Sequence, residues 1–130
     1  MTRDFGAMAA YIAARTAVPF AWGSNDCVTF AAGAVLALTG RDPLAGIPAW
    51  QSERAALIGL KRRGGLFAAV SSVLPQIAPA HAHRGDIGAV MGPDGPFLMM
   101  IEGATLVGPA LHGLFRHRRD ALVCSWSATA

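Results

Sequence analysis

Through the first 74 residues of this chain the apolar side chains recur at helical spacing, and from Asp86 onward they come in short β-rich runs cut by Gly, Pro and Asp. That switch in period constrains the fold more than any single motif. Helices followed by strands argue an α+β domain, with N-terminal helices packed on one face of a C-terminal antiparallel β-sheet. The spacing predicts a helix over 4–16, with Phe5, Met8, Ala9, Ile12 and Ala13 on one stripe and Asp4 as its cap. Pro19 ends it. A second helix starts at Cys27, carries Val28, Ala31, Ala32, Val35 and Leu38 on one face, and stops at Gly40. "RDPLAGIPAW" reads as a loop. A third helix is predicted over 49–63 through Trp50, Ala55, Leu57, Ile58 and Leu60, closed by Gly64 and Gly65, and a short fourth over 66–74, stopped by Pro75. The strands are "DIGAVM", "FLMMIEG", "TLVGPA", "LHGLFRH" and "ALVCSWS", with "GPDGP" (92–96) as a hairpin turn in an antiparallel meander. No repeat, low-complexity segment or linker interrupts the pattern, so residues 1–130 read as a single domain.

Composition removes several classes. Hydrophobic residues make up 53% and charged residues 15%, which excludes a disordered chain and points to some surface buried against a partner. No charge-free stretch is apolar enough to span a membrane, and "MTRDFGAMAAY" does not build a signal peptide, so the expectation is a protein made in the cytoplasm with no membrane partner. The formal charge of +3 concentrates in "KRRGG" (61–65) and "RHRRD" (116–120). Both are short and lack interleaved aromatics, so they read as solvated faces and no nucleic acid is expected. The role of Arg116–Arg119 stays open. Cys27 and Cys124 are two thiols without a disulfide framework. "HAH" (81–83) lacks a third ligand at a convincing spacing, so neither a metal nor another cofactor is expected.

The chemistry concentrates at "PFAWGSNDCVTF". Ser24, Asn25 and Asp26 are all good N-cap residues, and each places Cys27 in the first turn of the second helix. Free N–H groups and the helix dipole favour a thiolate there, and the backbone N–H of Cys27 suits an oxyanion. The competing reading is a small, inert, buried cysteine. Position alone leaves both open.

The pair "PFAWGSNDCVTF" and "RGDIGAV" resembles the landmarks of NlpC-type cell-wall peptidases, which are papain-like. More closely, Phe20-x-Trp22-Gly23-x-x-Asp26-Cys27, followed by Thr39-Gly40-Arg41-Asp42-Pro43, is similar to an uncharacterised phage and prophage family of that fold. The resemblance implies Cys27 as nucleophile, Asp26 as its structural neighbour, and Gly85 and Asp86 as the start of the sheet. It also implies a His base at the start of the next strand, usually in His-Val-Gly-Ile, and a third polar group to orient it. Here that strand reads "PFLMMIEG", so Phe97 or a close neighbour takes the base position. No polar residue stands near Gly108 or Pro109, and Phe20 replaces a Tyr. His112 is the best substitute base; its alternative is a strand-end His. His81 and His83 fall in a Pro/Ala loop and His117 in the basic cluster. Glu102 is either an edge residue or a polar group of the cleft. Trp22, Trp50 and Trp126 are groove walls or packing residues, and Cys124 is a core-facing strand residue.

These residues favour a phage-type protein that keeps a peptidase scaffold with lost or impaired catalysis, as a structural or binding component of the tail tip. Its expected place is the virion and its partners other tail proteins, with peptidoglycan as a further one. The alternative is an active thiol peptidase cleaving peptidoglycan peptide stems, with Cys27 as nucleophile and His112 as base.

Overall fold

A computed structural model describes residues 3–129. Four helices come first: α1 (Phe5–Ala14), α2 (Cys27–Thr39), α3 (Glu53–Arg62) and α4 (Leu66–Ser71). Six strands follow: β1 (Gln76–Ile77), β2 (Ile87–Gly92), β3 (Gly95–Ile101), β4 (Thr105–Ala110), β5 (Gly113–Arg118) and β6 (Cys124–Trp126). They make one sheet in the order β1-β6-β2-β3-β4-β5, every pairing antiparallel. Strands β2 to β5 are the expected meander. β6 departs from it by returning to the free side of β2, and the two-residue β1, which the sequence does not announce, pairs outside β6.

Local chemistry explains where the helices begin and end. Asp4 accepts the Ala7 N–H at 2.9 Å and starts α1. Asp26 and Thr29 form a reciprocal capping box at the start of α2, and Gly40 closes that helix in the left-handed conformation at φ 79°. Helix α1 lies across α2, with the Tyr11 ring over Gly33 and the Tyr11 hydroxyl donating to the Phe30 carbonyl at 3.0 Å.

Helix α2 is the centre of the first core. Phe30, Ala31, Ala34, Val35 and Leu38 pack on Ile87, Ala89, Leu98, Met100, Val107, Cys124 and Trp126 of the sheet, joined by Met8 and Ile12 of α1 and Val70 of α4. Each large side chain buried there contributes about 1.5–3 kcal/mol. The opposite face of the sheet holds a second, smaller core of Val90, Met99, Ile101 and Leu106, with Ala82 of the loop before β2. Turns at Pro79–His81 and Arg119–Ala121 close it, tied by the Arg119 guanidinium to the carbonyls of Pro79, Ala82 and Gly103. Strand β3 is therefore buried on both faces from Leu98 to Ile101, which explains its unbroken apolar run.

Helix α3 departs most from expectation. Ser52 caps it by accepting the Ala55 N–H at 3.1 Å, so it starts after Trp50, which stays in the preceding loop. It buries none of its residues, and Leu57 and Ile58 are 56% and 42% exposed. The sheet face is already covered by α1, α2 and α4, which leaves α3 outside. Among the described residues no helix is long and apolar enough to cross a membrane.

Candidate functional site

The turn before α2 is wound by two buried side chains. Asn25 donates to the carbonyls of Val18 and Pro19 at 3.3 and 3.0 Å. The Asp26 carboxylate accepts the Thr29 N–H through Oδ1 at 2.8 Å. Its Oδ2 accepts the Gly23 N–H at 2.8 Å and the Trp50 indole N–H at 2.7 Å. A buried charge needs such donors, and here they come from the turn, the helix and the loop before α3. Gly23 has φ 86°, and a Cβ there would meet the Trp50 carbonyl oxygen at 1.9 Å, so only glycine fits. The result delivers Cys27 as the first residue of α2.

Cys27 is partly buried at the floor of an apolar cleft of about 1670 Å³. Phe20, Trp22, Val28, Leu98 and Pro109 border it on one side and the segment from Pro43 to Leu66 on the other. The Phe20 and Trp22 rings meet edge to face at 4.9 Å, and Trp22 is 39% exposed at the rim. Burial pushes the Cys27 thiol above its ordinary pKa. The Leu98 N–H works against burial, the Asp26 carboxylate adds to it, and the N–H groups of Cys27 and Val28 work against it; the balance is upward. The helix start thus supplies N–H groups to the sulfur, as its position predicts, but they do not prevail over desolvation.

Strand period decides what faces the sulfur. Leu98 and Met100 point to the helices, whereas Phe97, Met99 and Ile101 point to the second core. The β3 residue on the Cys27 side is therefore Leu98, the close neighbour of Phe97. Phe97 turns away to meet the Phe115 ring at 5.9 Å, although it still borders the cleft. Met100 lies opposite Val107 and Ile101 opposite Leu106. Beyond that paired stretch, Leu98 of β3 and Pro109 of β4 both line the cleft.

All four histidines are exposed and none of them lines the cleft. His112 sits in the turn between β4 and β5, where it pairs with Pro19. His81 and His83 flank the loop before β2, and His117 lies on β5 with its ring 6.3 Å from that of Phe115. Among the described residues no group of three or more His, Cys, Asp or Glu gathers as metal ligands do.

The remaining candidates have structural partners. Asp86 is buried and binds Arg3 at 2.8 Å, the His83 N–H at 2.7 Å and the Ala128 N–H at 2.9 Å, so it ties both ends of the chain to the start of β2. Glu102 accepts from Arg116 at 2.9 and 3.1 Å and from the Thr105 hydroxyl at 2.9 Å. Burial raises its pKa, but the Arg116 and Thr105 hydrogen bonds together lower it below the ordinary carboxylate value. It lines a second cavity of about 320 Å³ beside α1, with Arg84 and Arg116, and not the cleft of Cys27. The basic segment is likewise partnered: Arg116 with Glu102, Arg118 with Asp120, Arg119 with backbone carbonyls. Trp126 is core, its N–H donating to Ser71 at 2.9 Å, and Cys124 is buried beside it. Trp50 is the site residue whose partner the sequence conceals. The one signal for it was the general need of an indole N–H for an acceptor.

Residues 3–128 match the family described as "Domain of unknown function (DUF6950)". The chain belongs to the DUF6950 family. No curated protein matches it. Among solved structures, the DUF6950 chain is similar to the crystal structure of the NlpC/p60 domain of peptidoglycan hydrolase SagA, with a TM-score of 0.60 and 19% identity over 95% of this chain and 98% of that one. At that identity the likeness establishes the fold. The helices and six-stranded sheet of the DUF6950 chain make a papain-like fold of the NlpC type.

Proposed function

We propose that this DUF6950 protein is a phage-type tail component, at the tail tip, that uses an NlpC-type scaffold for structural or binding work and has lost or impaired catalysis. The observation that carries this reading is the apolar lining that Leu98 and Pro109 give the Cys27 cleft. On this reading Leu98 and Pro109 stand where a Cys peptidase would keep its base and orienting group, and burial raises the thiol pKa. An uncharged thiol with no proton acceptor is a poor nucleophile at neutral pH. The phage setting rests on the resemblance of the Phe20–Cys27 and Thr39–Pro43 motifs. On this reading the protein resides in the virion, its partners are other tail proteins, and the aromatic rim of Phe20 and Trp22 is the contact surface, since aromatic anchors dominate interfaces.

One feature supports a second reading, an active thiol peptidase acting on peptidoglycan peptide stems. Cys27 keeps its place at a helix start, with its own N–H and that of Val28 beside the sulfur. That reading needs a base from outside the cleft, such as His112.

Replacing Cys27 by Ala and, separately, Trp22 by Ala in the encoding phage separates the two. The scaffold reading expects normal assembly and entry for Cys27→Ala, impaired assembly or entry for a folded Trp22→Ala, and no digestion of purified peptidoglycan by the wild-type protein. Digestion by the wild type that Cys27→Ala abolishes, together with lost entry, establishes the peptidase instead.

A further inference from the structure

The 23 residues from Asp42 to Gly64 form one wall of the Cys27 cleft while being held almost entirely by themselves. Helix α3, within this segment, buries no residue. The other hydrogen bonds of the segment are local, such as Leu44 to Asp42, Ala55 to Ser52 and Gly64 to Lys61. Among the described residues, one hydrogen bond links it to anything beyond its own ends: the Trp50 indole N–H to Asp26 Oδ2 at 2.7 Å. No ion pair of the described residues involves it. The backbone at the same point is seated against Gly23, where a Cβ would collide with the Trp50 carbonyl. That single attachment lies on the residue immediately before Cys27.

We propose that Trp50 is a latch: its hydrogen bond to Asp26 holds the 42–64 segment as a strap across the cleft, and release of that bond swings the strap away and opens the cleft floor to large ligands. The physical grounds are threefold. Few buried apolar contacts and one anchoring bond mark a segment that opens by itself, below the free energy of global unfolding. The anchor is a hydrogen bond to a carboxylate, and losing such a bond shifts an opening equilibrium by about tenfold or more. The strap also carries exposed Leu57 and Ile58 together with Lys61, Arg62 and Arg63, so its movement changes the chemistry of one whole wall. The device is independent of whether Cys27 retains catalysis.

The test uses Trp50→Phe, which keeps an aromatic ring and removes the N–H. Cys27 labelling is followed by mass spectrometry of its peptide with a bulky maleimide and with a small alkylating agent, at several pH values so that access is separated from ionisation. Hydrogen exchange is followed in parallel. The expectation is that bulky labelling of Cys27 speeds up about tenfold relative to wild type, that small-reagent labelling changes much less, and that amides 54–63 exchange faster while α2 and β3 do not. A folded Trp50→Phe protein with unchanged bulky labelling and unchanged exchange overturns the latch. If Trp50→Phe does not fold, wild-type exchange decides. Amides 54–63 opening together well before those of α2 support the strap, and protection of 54–63 equal to that of α2 overturns it.

Discussion

Leu98 turns both its side chain and its backbone N–H toward Cys27, while Phe97, one residue earlier, turns the other way. The relationship follows from strand period alone and fixes the character of the site. Among the described residues, the groups that bear on the sulfur are the backbone N–H groups of Leu98, Cys27 and Val28 and, by its charge, the Asp26 carboxylate.

The pH dependence of Cys27 follows with a definite sign. Burial raises its pKa, so alkylation of the folded protein is expected to reach half its maximal rate above the ordinary thiol value of about 8.5. A half-point below that value contradicts the desolvated site. Stability is linked to the same shift. A folded-state pKa above the unfolded one gives a contribution fully present below the unfolded value and lost as pH rises through the folded one. Tyr11, raised chiefly by burial with Arg15 acting the other way, adds in the same direction at higher pH. Denaturant midpoints are therefore expected to fall from about pH 8.5 upward, and Cys27→Ala should lose the first part of that fall. Glu102 acts on the acid side: its lowered pKa gives stability that is present above the ordinary carboxylate value and lost as pH falls through the folded one.

Asp86 is expected to matter more than any other carboxylate outside the turn. Asp86→Ala leaves the N–H groups of His83 and Ala128 without their acceptor and takes the counter-charge from the Arg3 guanidinium, which keeps the Arg84 carbonyl and the Thr129 hydroxyl. Breaking a buried pair from one side costs about 3–5 kcal/mol. Arg3 is 20% exposed and recovers some hydration, so the lower end, about 3 kcal/mol, is expected in urea unfolding. The exposed pair Arg118–Asp120, at 85% and 67% exposure, is the control: Arg118→Ala should shift stability by less than about 0.5 kcal/mol. Similar losses for the two variants would show that Asp86 is not the tie described.

Gly33 sets the distance between α1 and α2. A Cβ there would lie 2.3 Å from the Tyr11 hydroxyl, so Gly33→Ala must displace that ring and its bond to the Phe30 carbonyl. The cost is expected at about 1–3 kcal/mol, as for other overpacked contacts. Tyr11→Ala removes the obstacle, so the double variant should lose clearly less than the sum of the single changes. Additive losses would place the strain elsewhere.

What the sequence reveals and what it hides divide by range. The start of α2 at Cys27 and its stop at Gly40 are legible because Asp26, Thr29 and Gly40 act within one turn of the residues they cap. The order of helices and strands is legible from the change of period. Trp50 is not, because its acceptor lies 24 residues away and nothing local distinguishes a helical tryptophan from a latched one. The exposure of α3 is hidden for a similar reason: its amphipathic pattern says that one face is apolar, not that other helices have already taken the sheet. β1 is too short to have a period. At the site, the motif points to Phe97 or a close neighbour, and only the pleat of β3 shows that Leu98 is the one on the helix side.

That choice can be tested by restoring what is missing. Leu98→His places an imidazole on the helix-facing side of β3, beside the sulfur, and Pro109→Asn adds a polar group where β4 lines the same cleft. Losing the buried Leu98 side chain costs stability, by about 2–3 kcal/mol on the scale of large-to-small core changes, so the fold of each variant is checked first by circular dichroism. An imidazolium next to a thiol favours the thiolate, which opposes the desolvation that now raises the Cys27 pKa. The half-point of Cys27 alkylation is therefore expected to drop below about 8.5 in Leu98→His and further in the double variant, where the asparagine holds the ring. Leu98→Ala is the necessary control, since it opens the same space to water without supplying a base. If Leu98→His is folded and its profile coincides with that of Leu98→Ala, then Leu98 does not stand at the base position, and the absence of activation at Cys27 must have another cause.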